Sequence, residues 1–208
     1  MNNTIYPVME IFDSIQGEGS MMGLSVTFVR FKGCNLACPW CDTKESWAGA
    51  DNMKQEVRQL NALEIADQCS RKYVVLTGGE PTIQNLDELI LALHLKGKFV
   101  AIETNGTLPT PKDIDWVVAS PKPPEYKINK DCKYDELKYV VDDNFKIEVL
   151  PKLNSEEFRS GSIWLQPAEI DGIHSQKTQQ SVYRCIQLIK AYPYLRMGIQ
   201  MHKVYDLK

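Results

Sequence analysis

The chain has 208 residues, a formal net charge of -3, 43% hydrophobic and 25% charged residues. That is ordinary for a globular protein and enough for a single domain, 1–208, with a substantial core. Lys and Arg are scattered rather than massed, which argues against a nucleic-acid surface. The N-terminus lacks a basic region followed by an apolar run, and no apolar stretch approaches membrane-spanning length, so the default is a cytoplasmic protein with no membrane partner.

In chain order, short apolar runs bounded by turn residues recur at 25–31, 73–79, 99–105, 116–121, 136–141, 162–167 and 195–200. Most are rich in Val, Ile, Leu or aromatic residues, which suits strands buried on both faces. Helical spacing separates some of them. Leu86, Leu89, Ile90 and Leu93 share one helix face, as do Val182, Cys185, Ile186 and Ile189, and Gln55 to Gln68 is a third candidate. Between Phe99 and Val141 the connections are too short or too rich in Pro for full crossover helices. The expectation is an α/β fold, an incomplete TIM-like βα-barrel of about six parallel strands and three main helices. Such folds gather chemistry at the C-terminal ends of their strands. Cys34, Gly78 to Pro81, Glu103 to Asn105, Ser120 to Lys122 and Gln166 to Glu169 all fall there.

Six Cys are present, and three of them crowd into Cys34-Asn35-Leu36-Ala37-Cys38-Pro39-Trp40-Cys41. Thiolates at this spacing can wrap one metal centre from a single loop. Iron–sulfur clusters usually take four thiolates, so three on a four-iron cube leave one iron open to a ligand. A structural zinc site would need a distant His94, His174 or His202, and a plain electron-transfer cluster would need Cys69 or Cys132. Cys69 and Cys185 lie on apolar helix faces and read as packing residues; Cys132, in a Lys-rich loop, is given no role.

The spacing Cys34-x3-Cys38-x2-Cys41, with Trp40 before the last thiol, resembles the signature of radical S-adenosylmethionine enzymes. Leu76-Thr77-Gly78-Gly79-Glu80-Pro81 resembles their Gly-Gly-Glu motif. Glycine lets backbone approach a ligand, and a carboxylate accepts from an ammonium. Read alone, that segment is a plain turn. Phe12 to Gly19, Arg30, Cys41-Asp42-Thr43, Ser120-Pro121-Lys122, Gln166-Pro167 and Gln200-Met201-His202-Lys203 together resemble the 7-carboxy-7-deazaguanine synthase family, from Glu10 to Lys203.

The resemblance implies a lyase with a [4Fe–4S] cluster, S-adenosylmethionine and Mg2+. The substrate would be 6-carboxy-5,6,7,8-tetrahydropterin. An adenosyl radical removes hydrogen at C6, the ring contracts, ammonia leaves, and S-adenosylmethionine is regenerated. The product, 7-carboxy-7-deazaguanine, feeds queuosine and related deazapurines. A homodimer and an electron donor such as flavodoxin are the implied partners. Two alternatives stay open: a small activase that makes a glycyl radical on a partner protein, and a non-enzymatic iron–sulfur or zinc module.

By the same resemblance Cys34, Cys38 and Cys41 hold the cluster, and Ile15, Gln16, Gly17, Glu18 and Thr77 meet the pterin. Arg30, in an otherwise apolar strand, needs a partner. The substrate carboxylate is one; a structural ion pair is the other. Thr43 offers a hard oxygen for Mg2+ or caps a turn. Gly78, Gly79, Glu80, Glu103, Ser120, Pro121, Lys122, Gln166, Pro167, Ala168 and Glu169 line the S-adenosylmethionine site. The family pattern favours a methionine and an aspartate where this chain has Ala168 and Glu169.

Overall fold

The structure, a computed structural model, describes residues 4–38, 41–47, 56–151 and 162–208. Pro39, Trp40 and the Gln55 start of the first helix candidate lie outside the described residues. One nine-stranded sheet runs in the order β3-β1-β2-β4-β5-β6-β7-β8-β9. Its strands are β1 (Ile5–Ile15), β2 (Ser25–Phe31), β3 (Arg58–Asn61), β4 (Tyr73–Gly78), β5 (Phe99–Thr104), β6 (Trp116–Ala119), β7 (Glu136–Val141), β8 (Ile163–Pro167) and β9 (Leu195–Met197). From β2 through β9 every pairing is parallel, making seven parallel strands where about six were expected. β1 and β3 extend the sheet antiparallel at the β2 edge.

The helices are α1 (Ala62–Gln68), α2 (Asp87–Leu95), α3 (Gln176–Ala191) and the short α4 (Met201–Tyr205). The expected 55–68 helix is half wrong. Residues 58–61 pair with β1, and the helix starts only at Ala62. Asn61 explains the boundary. Its side chain accepts from the Leu63 and Glu64 N–H groups, and Glu64 returns a bond to the Asn61 N–H, a complete capping box. The expected face of α3 is also rotated. Cys185 is buried and Ile186 is 39% exposed, because Thr178, Ser181 and Cys185 form the inward line.

Strand alternation sorts the side chains onto two faces. Val74, Leu76, Val100 and Ile102 join Val29 and Phe31 in a core under α1 and α2, with Ile65, Leu89 and Leu93. Leu137, Tyr139, Val141, Ile163 and Leu165 pack with Cys185 near α3. Cys69 and Cys132 are buried in these same cores. The alternate residues face the other way: Val26, Val75 and Ala101 form a small apolar floor with Met21. Arg30, Thr77 and Glu103 lie on that same face, further toward the C-terminal ends of β2, β4 and β5.

Candidate active site

On this face, at the C-terminal ends of the parallel strands, the fold encloses a cavity of about 500 Å³, a volume suited to small molecules. All the expected site residues except Glu80 and Pro121 line it.

The cysteine loop enters directly from β2. Gly33 has φ +103° and donates to the Ser46 carbonyl at 2.7 Å, while its own carbonyl accepts from the Glu80 N–H at 2.8 Å. Gly79 lies so close that a Cβ there would sit 2.0 Å from the Gly33 oxygen and 3.0 Å from the Cys34 Cβ. The Gly-Gly pair therefore serves first to let the β4 turn press against the cysteine loop.

Cys34, Cys38 and Cys41 are free and partly exposed to the cavity. The Leu36 N–H donates to Cys34 Sγ and the Thr43 N–H to Cys41 Sγ, each at 3.4 Å. Such bonds favour thiolate over thiol and tune iron–sulfur centres. Burial pushes the Cys34 and Cys38 thiols up, and the Lys122 charge partly counters this at Cys38. Iron removes those protons on binding. Among the described residues no three His, Cys, Asp or Glu side chains gather as a single-ion site.

Glu80 is fully buried behind the wall. Its Oε1 accepts from the Thr82 N–H at 3.0 Å and from the Thr82 and Thr104 hydroxyls at 2.7 Å; its Oε2 accepts from the Asn105 N–H at 2.6 Å. The carboxylate is occupied in tying the turns after β4 and β5 together rather than turned to the cavity.

A second wall is polar and continuous. The Gln16 side chain donates to Glu103 Oε1 at 3.0 Å and accepts from the Glu18 N–H at 3.1 Å; the Thr77 hydroxyl donates to Glu103 Oε2 at 3.3 Å. Burial works to raise the Glu18 carboxyl, but the charge and hydrogen bond of Lys138, with Gln200 and His202, hold it well below the usual carboxylate range. Arg30 has the structural ion pair that sequence left open: its Nε donates to Glu10 at 2.8 Å. The pair uses Nε, so the two terminal guanidinium nitrogens remain for an anionic ligand. Thr43 Oγ1 donates to Asp42 at 3.2 Å.

On the far side Lys122 donates to the Ser120 hydroxyl at 2.6 Å, and burial followed by the Lys138 charge brings its amine down to about 8. Gln166 is 6% exposed, and its Oε1 has no protein donor among the described residues. A buried acceptor left open on a cavity wall suits a ligand donor. Glu169 lies 2.9 Å from Lys203 of α4, which also reaches within 3.8 Å of Asp42. Lys138, Gln200, His202 and Lys203 belong to this site although the sequence assigned them no role. For Lys138 the available signal was a charge inside the apolar run 136–141.

An incomplete parallel barrel with three thiols on the loop after its first parallel strand, a glycine cradle against them and a ligand-sized cavity beside them is the arrangement of a radical S-adenosylmethionine enzyme, and the pattern of the Radical SAM superfamily matches residues 28–128. Enzymes of that class work with a [4Fe–4S] cluster and S-adenosylmethionine; Cys34, Cys38 and Cys41 fit the first, and the Gly78-Gly79 turn and Gln166 fit the second. The chain belongs to the 7-carboxy-7-deazaguanine synthase family. It is 37% identical to 7-carboxy-7-deazaguanine synthase of Bacteroides thetaiotaomicron over 97% of this chain and 98% of that one. It is 35% identical to the Aquifex aeolicus enzyme of the same name over 99% and 96%. Its fold is similar to the crystal structure of QueE from Escherichia coli, with a TM-score of 0.76, 26% identity and 95% of each chain covered.

Proposed function

We propose that the protein, acting as a single domain, converts 6-carboxy-5,6,7,8-tetrahydropterin to 7-carboxy-7-deazaguanine and ammonia. When bound, the cluster and S-adenosylmethionine supply the radical that takes hydrogen from the substrate. The chain's own work is to hold the substrate, orient its C6 toward that radical and exclude water. One observation supports this best: the thiol loop and the polar wall of Gln16, Glu18, Thr77 and Glu103 face a single cavity of about 500 Å³. The pterin ring edge carries N–H donors and a carbonyl, which those side chains complement. The terminal nitrogens of Arg30 suit the substrate carboxylate bidentately. The Thr43 hydroxyl is a hard oxygen suited to Mg2+, which keeps several waters and takes substrate oxygens. Ile15 and Gly17 add backbone to the pterin wall. Gly78, Gly79, Ser120, Lys122 and the turn Gln166 to Glu169 surround S-adenosylmethionine, and Glu80 and Pro121 support that wall from behind.

Among the described residues no helix is long and apolar enough to cross a membrane. We place the enzyme in the cytoplasm, as a homodimer reduced by a donor such as flavodoxin, without nucleic acid. The test is anaerobic reconstitution followed by incubation with the carboxypterin, S-adenosylmethionine, Mg2+ and dithionite. The expected outcome is a product with the ultraviolet spectrum and mass of the carboxy-deazaguanine. A cluster that forms and binds S-adenosylmethionine while the pterin stays unchanged would reject the substrate. Zinc without iron would reject the enzyme.

A further inference from the structure

Lys138 is a cation at the cavity with none of the roles above. It lies on β7 with its side chain 15% exposed, and Nζ donates to Glu18 Oε2. Glu136, two residues earlier, shares its strand face. Glu136 accepts from the Ser20 N–H at 3.0 Å, from the Ser20 hydroxyl at 2.5 Å and from Trp164 Nε1 at 3.0 Å. Gly19 (φ +65°) passes so close that a Cβ would meet Glu136 Oε1 at 2.2 Å. Thus β7 grips the loop after β1 twice, once with an acceptor and once with a cation. From the other side, Gln200 Nε2 donates to Glu18 Oε1 at 3.0 Å, and the Met201 N–H to the Gly17 carbonyl at 3.1 Å.

We propose that Lys138 is a positioning residue for substrate recognition, holding Glu18 as an oriented two-oxygen acceptor for a pair of adjacent N–H donors on the substrate ring. The proposal rests on the pterin reading above. Each carboxylate oxygen has two acceptor sites. Lys138 takes one on Oε2 and Gln200 one on Oε1, leaving one on each. Two neighbouring N–H donors, the 2-amino group and the adjacent ring N–H of a pterin, match that pair. A protonated carboxyl would present one donor and one acceptor and would mismatch them. Burial alone favours that protonated form. The groups facing Glu18 are Lys138 from β7, Lys122 after β6, Gln200 just before α4, His202 from α4, and Gln16 from its own loop. Lys138 in turn faces Glu103 of β5, Asp42 of the cysteine loop and Lys122 after β6.

The test compares Lys138→Met with Lys138→Arg in reconstituted enzyme. Lys138→Met should raise KM for the carboxypterin at least tenfold at pH 7, with a smaller change in kcat. That KM should recover as pH rises toward 9, because alkali restores the Glu18 charge. Iron content and S-adenosylmethionine binding should stay unchanged, and Lys138→Arg should restore most of the affinity. A KM that stays unchanged, or is raised equally at every pH, overturns the proposal. A second readout needs no substrate and so separates this proposal from the pterin reading. Infrared titration against Glu18→Gln should show Glu18 ionised at pH 5 in the parent and protonated there in Lys138→Met. Glu18 ionised in both would overturn the role of Lys138 whatever the substrate is. If Lys138→Met does not fold, Lys138→Gln, which keeps a donor without the charge, carries the same comparison.

Discussion

The Glu80 carboxylate accepts the Asn105 backbone N–H at 2.6 Å, and Asn105 in turn donates through Nδ2 to Asn35 at 2.9 Å, beside Cys34. The β4 turn, the β5 turn and the cysteine loop are therefore one hydrogen-bonded unit. Its centre is a buried carboxylate whose Oε1 accepts from one backbone N–H and two hydroxyls and whose Oε2 accepts from a backbone N–H.

Glu80→Gln should destabilise that unit. Whichever way the amide is turned, its NH2 opposes a backbone N–H, that of Thr82 or that of Asn105, and leaves one buried donor unpaired. The expected cost is about 1–3 kcal/mol. Thermal denaturation of the cluster-free protein measures it, and iron retention after gel filtration should fall in parallel. An unchanged melting temperature would mean that the carboxylate is not the tie.

Gly79→Ala should be worse tolerated than an exposed substitution. The new methyl would sit 2.0 Å and 2.5 Å from the Gly33 carbonyl oxygen and carbon, so backbone has to move. Overpacking of this kind costs about 1–3 kcal/mol, and the displaced chain here carries Cys34. Reconstitution should give less than half the parental iron per chain. Gly97→Ala is the control, since nothing lies within 4 Å of its Cβ position. Its φ of +67° still predicts a small loss of stability, with no loss of iron.

The six thiols should divide into two sets. Burial pushes Cys69 and Cys185 up to about 12 and Cys132 up to about 11, so at pH 8 almost none of these three is thiolate. Cys34, Cys38 and Cys41 are partly exposed. Cluster-free folded protein should react quickly with a disulfide reagent at three positions and at all six after denaturation. Cluster assembly should protect the fast set. Cys38→Ala should lose the cluster and all turnover, because two thiolates do not hold the cube securely.

Arg30→Ala should chiefly raise KM, by the equivalent of ~1.5–3 kcal/mol, if the terminal nitrogens meet the substrate carboxylate. The Glu10 pair is the competing use of this side chain. Glu10→Gln removes that pair and keeps Arg30, so it should change KM much less than Arg30→Ala does. Equal effects from both variants would assign Arg30 to the ion pair alone.

Much of the fold was legible because buried parallel strands announce themselves as short apolar runs, and seven such runs became β2 and β4 to β9. β1 does not stand out in the sequence because its 11 residues, Ile5–Ile15, mix polar and apolar side chains at an edge that is only partly covered. β3 hides in a helical pattern because three of its four residues, Arg58, Gln59 and Asn61, are polar and the strand gains its pairing only from β1. Ile186 was misplaced because a helical period names a stripe, while contact with β8 and β9 decides which edge of that stripe turns inward.

The three-thiol loop and the Gly-Gly turn are legible in the sequence, since one is a spacing within a single loop and the other the absence of a side chain. Lys138 on Glu18, Glu80 behind the wall and Arg30 on Glu10 were decided only by tertiary structure. Each joins residues far apart in the chain or on different strands. Whether a charge faces a ligand or a neighbour is set by strand register and burial, which no local pattern encodes.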